Sequence, residues 1–63
     1  MIYDNIKSIA DKKGLSIAEI EKRAKIGNGI IGKWKEASPT VDSLMKVARV
    51  LNVSVNTLVK GKE

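Results

Sequence analysis

Sixty-three residues hold at most one small domain, and a chain this short buries only about 60% of the surface its unfolded form exposes, so its core must be lean. It has no Cys and no His, which excludes disulfide staples, thiolate or imidazole metal ligands, a cysteine nucleophile and an imidazole base. Twelve Lys and Arg against seven Asp and Glu leave a net charge of +5, suited to a polyanion, nucleic acid before anionic membrane.

Other counts narrow this further. A hydrophobic content of 43% is too high for a disordered basic tail. One Trp, one Tyr and no Phe give little surface for stacking single-stranded bases. Residues 1–3 lead straight into charged sequence without the apolar core of a secretory signal, and no apolar run approaches the roughly 20 residues of a membrane span. The expectation is a soluble, cytoplasmic protein.

The predicted elements are helices throughout, because period-2 alternation is sustained nowhere. Ile2, Ile6, Ile9 and Ala10 follow i, i+4, i+7, i+8, the stripe of a first amphipathic helix. Lys12 and Lys13 suit the negative end of its dipole, and Gly14 can turn left-handed just beyond. Ser16-Ile17-Ala18-Glu19 is a capping box, with Leu15 and Ile20 placed as a hydrophobic staple. It starts a second helix that runs from Ile17 to Arg23 or Ala24, turns Ile20 and Ala24 inward and ends around Lys25 and Gly27.

A third helix starts near Gly27 or Asn28 and carries Ile30, Ile31 and Trp34. It ends at Ala37-Ser38-Pro39, because the residue before a proline resists helical geometry. Thr40 caps a fourth helix whose stripe is Val41, Leu44, Val47, Ala48 and Leu51; Asn52 falls at a left-handed C-cap and Val53 folds back. Ser54 caps a short fifth helix with Val55, Leu58 and Val59, closed by Gly61. The reading is all-α: a compact five-helix bundle, one domain over residues 1–63.

The informative stretch is residues 16–34. Two short helices, each with a few inward aliphatics, are joined by a tight turn containing Gly, which is the sequence signature of a helix-turn-helix. The second helix of such a unit must project far enough to enter a major groove about 12 Å wide, while the first braces it across the backbone.

Here the chain resembles the Cro and phage-repressor group of helix-turn-helix proteins, the xenobiotic-response-element-like, lambda-repressor-like family. The matching stretches are Ser16-Ile17-Ala18-Glu19-Ile20, then Ile26-Gly27-Asn28-Gly29-Ile30-Ile31-Gly32-Lys33-Trp34-Lys35. They continue through Ser38-Pro39-Thr40-Val41-Asp42-Ser43-Leu44 to Val47-Ala48-Arg49-Val50-Leu51-Asn52-Val53-Ser54. The Gly-Asn-Gly start and Lys-Trp-Lys ending are similar to variants in repressors of Gram-positive phages. The resemblance covers essentially the whole chain, with four departures, one of them a loop between the third and fourth helices that is shorter than in many members. Ile17 stands where the family often has a phosphate-binding Gln, Glu21 where it has a small residue close to the third helix, and Lys25 where it often has Gly. Glu21 implies either an altered angle between the two helices or a side chain that reaches past their crossing.

At about 100° per residue, Ile31, Trp34 and Gly27 share the inward side of the third helix, and Gly29, Gly32, Lys33 and Glu36 the outward side. The candidate base readers are Asn28, Gly29, Gly32 and Lys33. Asn28 stands at the exposed start; its amide can accept from adenine N6 and donate to N7, a pair worth about 1–3 kcal/mol of discrimination. The competing reading is that Asn28 caps the helix beside Gly27, and the two roles are compatible. Lys33 can reach guanine O6 and N7 or a phosphate. Gly29 and Gly32 each cost a helix roughly 0.5–1 kcal/mol relative to Ala. They either admit the backbone close to bases and thymine methyls or are neutral on an exposed face. Trp34 is read as core.

Phosphate contacts are assigned to the free N–H groups at two helix starts, Ser16 with Ile17 and Thr40 with Val41, and to Lys25, Lys35 and Ser38 around them. Val53, Val55, Leu58 and Val59 supply a dimer patch, with some of the four packing inward. The resemblance implies a sequence-specific double-stranded DNA-binding repressor, weakly dimeric, reading a pseudo-palindromic operator with half-sites roughly 34–36 Å apart. It would act in the cytoplasm of a bacterial or phage-infected cell, on the nucleoid. No catalytic group, metal, cofactor, small-molecule ligand or membrane partner is expected.

Three other functions compete with it. An antitoxin or immunity-type regulator, with another protein as main partner, needs a tail beyond the fifth helix, where only residues 60–63 remain. A basic module for a membrane needs one long amphipathic helix. An enzyme would have to draw on Asp4, Asp11, Glu19, Glu21 and Asp42, all read as helix-surface or cap residues.

Overall fold

The computed structural model describes residues 2–61; Met1, Lys62 and Glu63, and with them the end of the tail just mentioned, lie outside the described residues. The chain forms α1 (Ile2–Lys12), α2 (Ile17–Ala24), a 3-10 helix (Ile31–Lys35), α3 (Val41–Leu51) and α4 (Val55–Lys60). Among the described residues there are thus four α-helices and no strand.

Each α-helix after the first starts on a hydroxyl cap. Ser16 Oγ accepts from Glu19 N at 3.1 Å, Thr40 Oγ1 from Ser43 N at 3.2 Å and Ser54 Oγ from Thr57 N at 3.1 Å. Each cap satisfies a donor that has no partner within its helix and is worth about 1 kcal/mol. Only half of the capping box forms as drawn, because the Glu19 carboxylate turns down its own helix to accept from Arg23 at 3.0 Å.

The ends are left-handed turns. Gly14 has φ +71°, and Leu15 N donates back to Ala10 O at 2.9 Å. Asn52 has φ +57°, and Val53 N reaches Ala48 O at 3.0 Å. α2 ends at Ala24, within the expected bounds. Lys25, rather than Gly27, takes the left-handed conformation (φ +60°), and Ile26 N donates to Glu21 O at 3.1 Å. A Cβ-bearing residue there carries about 1 kcal/mol of strain, set against the two carbonyls of α2 that the turn satisfies.

The core consists of Ile6, Ile9 and Ala10 from α1, Ile20 and Ala24 from α2, Ile31 and Trp34 from the 3-10 helix, Leu44, Val47, Ala48 and Leu51 from α3, and Leu58 from α4. α2 lies on α3, and α1 is wedged between α4 and the 3-10 helix. Asn5 locks the α1 side: its Nδ2 donates to the carbonyls of Leu58 at 2.8 Å and Val59 at 3.1 Å. Gly61, with φ +77°, ends α4 against the same residue, and a Cβ there would overlap the Asn5 amide.

The expected fifth α-helix, third in chain order, is corrected. Residues 28–30 form a turn, and only Ile31–Lys35 coil, as a 3-10 helix. Three of its bonds run to the third residue back, Ile30 N to Gly27 O, Lys33 N to Ile30 O and Glu36 N to Lys33 O, at 3.1–3.2 Å; Lys33 N is shared with Gly29 O at 3.3 Å, and Ala37 N reaches Lys33 O at 3.0 Å. The reason is local chemistry. Gly29 sits at φ +82°, outside any right-handed helix, and three glycines in six residues weaken α geometry by about 1 kcal/mol each. Pro39 then closes the stretch before another turn can form.

Candidate nucleic-acid interface

Three residues per turn place i and i+3 of a 3-10 helix above one another. Ile31 and Trp34 therefore share one edge, and both are buried against the core. Gly32, Lys33, Lys35 and Glu36 are left exposed, with Asn28 and Gly29 exposed at the approach to the helix. The four proposed base readers, Asn28, Gly29, Gly32 and Lys33, thus fall on one short projecting segment.

The cap of this segment is not Asn28, whose side chain has no hydrogen-bond partner among the described residues. It is Glu21. One carboxylate oxygen accepts from Gly29 N at 3.1 Å and the other from Ile31 N at 2.9 Å. Glu21 is 3% exposed, the one charged residue among the buried ones described, so of its two readings, helix surface or cap, it is the cap that holds. The side chain reaches past the helix crossing. The signal in the sequence was the departure from a small residue opposite Gly-Asn-Gly; the span of eight to ten residues between partners hid the bond.

The two glycines separate. A Cβ at either would meet nothing within 4 Å, but only Gly29 has a positive φ. Gly29 is required by the backbone; nothing inside the chain requires Gly32.

The phosphate candidates lie on α2, α3 and the turns beside them, except Lys35, which ends the 3-10 helix itself. Ser16, Thr40 and Val41 are exposed at helix starts, Val41 at 71%, while Ile17 is half-buried against the core and offers its N–H rather than its side chain. The first-turn acids that would oppose an anion there are paired: Glu19 with Arg23 at 3.0 Å and Asp42 with Lys46 at 3.2 Å. Ser38 and Lys25 are exposed. Lys35 is exposed too, but its Nζ lies 4.5 Å from the centre of the Tyr3 ring, which draws it toward α1. Lys25 also borders an open groove of about 500 Å³ between α2 and α3, walled by Arg23, Lys46 and Arg49 over Ala24 and Val50.

The proposed dimer residues divide as well. Val53 and Val55 are half-buried and Val59 is 52% exposed. Leu58 is fully buried and its carbonyl is held by Asn5, so it is a core residue and not part of an open patch. Among the described residues no cluster of carboxylates could hold a metal ion, and no helix is long and apolar enough to cross a membrane.

A capped α2, a tight turn and a short segment tied to α2 by Glu21 and buried in the core through Ile31 and Trp34 define a helix-turn-helix. The chain belongs to the Cro/C1-type helix-turn-helix family, whose pattern it matches over residues 6–58. That family is not an enzyme class. Among individual proteins, the chain is 32% identical over 66 residues to the HTH-type transcriptional regulator SinR of Bacillus licheniformis, covering all of this chain and 60% of that protein. It is 32% identical over 65 residues to SinR of Bacillus subtilis (strain 168), covering 98% of this chain and 59% of that one. The chain therefore spans about three-fifths of the length of these relatives.

Two solved structures share its fold. One is SinR, the master regulator for biofilm formation, in complex with DNA, with a TM-score of 0.84 at 32% identity over 94% of this chain and 98% of that chain. The other is the N-terminal DNA-binding domain of SinR from Bacillus subtilis, with a TM-score of 0.85 at 32% identity over 94% and 90%.

Proposed function

We propose that this chain is one helix-turn-helix domain that binds double-stranded DNA in a sequence-specific manner and acts as a transcriptional regulator of the Cro/repressor type. The observation that carries the reading is the exposed segment 28–33. The Asn28 amide has no partner there among the described residues, while Glu21, Ile31 and Trp34 hold the segment from behind. Relatives named as transcriptional regulators, and one solved with DNA, agree with it.

The mechanism is occlusion of a promoter without chemistry. Asn28 reads a base edge, Lys33 a guanine or a phosphate, and Gly29 and Gly32 admit the backbone to the groove floor. Ser16 and Ile17 on α2 and Thr40 and Val41 on α3 turn their first-turn N–H groups to phosphates, with Lys25, Lys35 and Ser38 alongside. The longest extent of the Cα framework is 25 Å, short of the roughly 34–36 Å between successive major-groove faces, so a pseudo-palindromic operator calls for two copies. Val59, Val55 and Val53 supply a small, weak two-fold patch. The regulator works in the cytoplasm of a bacterial or phage-infected cell, on the nucleoid.

The test is selection of preferred duplexes from a random pool, followed by binding across salt concentrations. Asn28→Ala should lose preference at one base position, a loss of about 1–3 kcal/mol, while Lys25→Ala weakens all sequences alike and flattens the salt dependence. Wild-type protein with no preference over random duplex at physiological salt overturns the reading.

A further inference from the structure

We propose that Glu21 is a positioning residue that sets sequence specificity, by keeping the recognition segment's own N–H groups away from DNA phosphate so that Asn28 alone presents its leading end. This rests on the DNA-binding function proposed above.

The three segments that surround the DNA-facing surface start differently. α2 and α3 are capped by neutral hydroxyls that satisfy only the third amide of each helix. The earlier first-turn amides of those helices have no intrahelical acceptor, and such donors are suited to phosphate. The recognition segment is capped by a carboxylate, and both oxygens are used: Gly29 N at 3.1 Å and Ile31 N at 2.9 Å. These amides are no longer available to an outside anion. A negative charge lies directly behind them, and no ion pair offsets it among the described residues.

A packed apolar side chain could fill the space beneath the turn without burying a charge. What the carboxylate adds is two strong acceptors held in one plane. Gripping Gly29 N and Ile31 N together fixes the left-handed Gly29 between its neighbours, and with it the direction in which Asn28, one residue earlier, leaves the turn. Without that grip the segment would keep its buried edge, Ile31 and Trp34, but its leading turn could relax and offer bare amides to the nearest phosphate.

The test compares wild type, Glu21→Gln and Glu21→Ala on the selected duplex and on random duplex, with thermal unfolding as the check on folding. Glu21→Gln preserves the shape but loses the charge and turns a donor toward one of the two amides. Both variants should bind random duplex at least as tightly as wild type and prefer the selected duplex at least tenfold less. Glu21→Ala should steepen the salt dependence on random duplex by about one phosphate, a change near 0.9 in the log–log slope. A Glu21→Gln protein that is folded and fully selective overturns the proposal while leaving the DNA-binding reading intact; absence of selectivity in wild type overturns that reading instead.

If neither variant folds, amide exchange in wild type decides. Gly29 and Ile31 N–H protected in free protein, and unchanged on the selected duplex, support the proposal. Exposed amides, or amides that gain protection only with DNA, overturn it.

Discussion

α3 and the recognition segment (residues 28–35) lie side by side in the sequence and are stabilised in opposite ways. α3 obeys every local rule: Thr40 caps it, an apolar stripe faces the core and Asn52 ends it left-handed. The recognition segment has three glycines nearby, no cap from its own first residues and mainly 3-10 bonding. It is held by groups from elsewhere, Glu21 from α2 and the pocket that receives Ile31 and Trp34. The difference teaches that a segment held by anchors behind it leaves its outer surface free of structural duty.

The strongest way to break that comparison is at an anchor. Trp34→Ala should destabilise the whole domain by about 3–5 kcal/mol, because its indole is a large share of a small core. Urea denaturation measures this, and a loss confined to DNA binding would mean the segment is only loosely attached. Gly29→Ala comes next. Its cost is about 1–2 kcal/mol from the left-handed backbone, accompanied by loss of base preference in the selection assay. Thr40→Ala should cost about 1 kcal/mol through the lost cap of α3, with calorimetry as the readout. The smallest effect runs the other way. Gly32→Ala meets open space and should raise stability by about 0.5–1 kcal/mol while lowering affinity for DNA, the signature of a glycine kept for close approach.

The same contrast explains what could be read from the chain. The caps at Ser16, Thr40 and Ser54 and the turn at Asn52 were legible because each partner lies within a few residues. Period named most of the buried faces, Ile6, Ile9 and Ala10 in α1 and Leu44, Val47, Ala48 and Leu51 in α3, but Val41, read as part of the α3 stripe, is corrected: it starts the helix 71% exposed. The 3-10 character of the recognition segment was not, since it depends on the φ of Gly29 and on a carboxylate eight residues upstream. Leu58 and Val59 illustrate a second limit. Two adjacent aliphatics look alike in sequence, and only the position of α1, tied by Asn5, decides that one is buried and the other exposed. Lys25 illustrates a third: the sequence marked the end of α2 at Lys25 and Gly27, but which of the two turns left-handed is decided by Ile26 N, which returns to Glu21 O.

The most direct test of the central claim maps amide and side-chain resonances during titration with the selected duplex. The largest changes should fall on the Asn28 side chain and on residues 28–33, with smaller ones at the first turns of α2 and α3 and none at Leu58. A map centred on α1 and α4, with the Asn28 amide unmoved, would contradict the account.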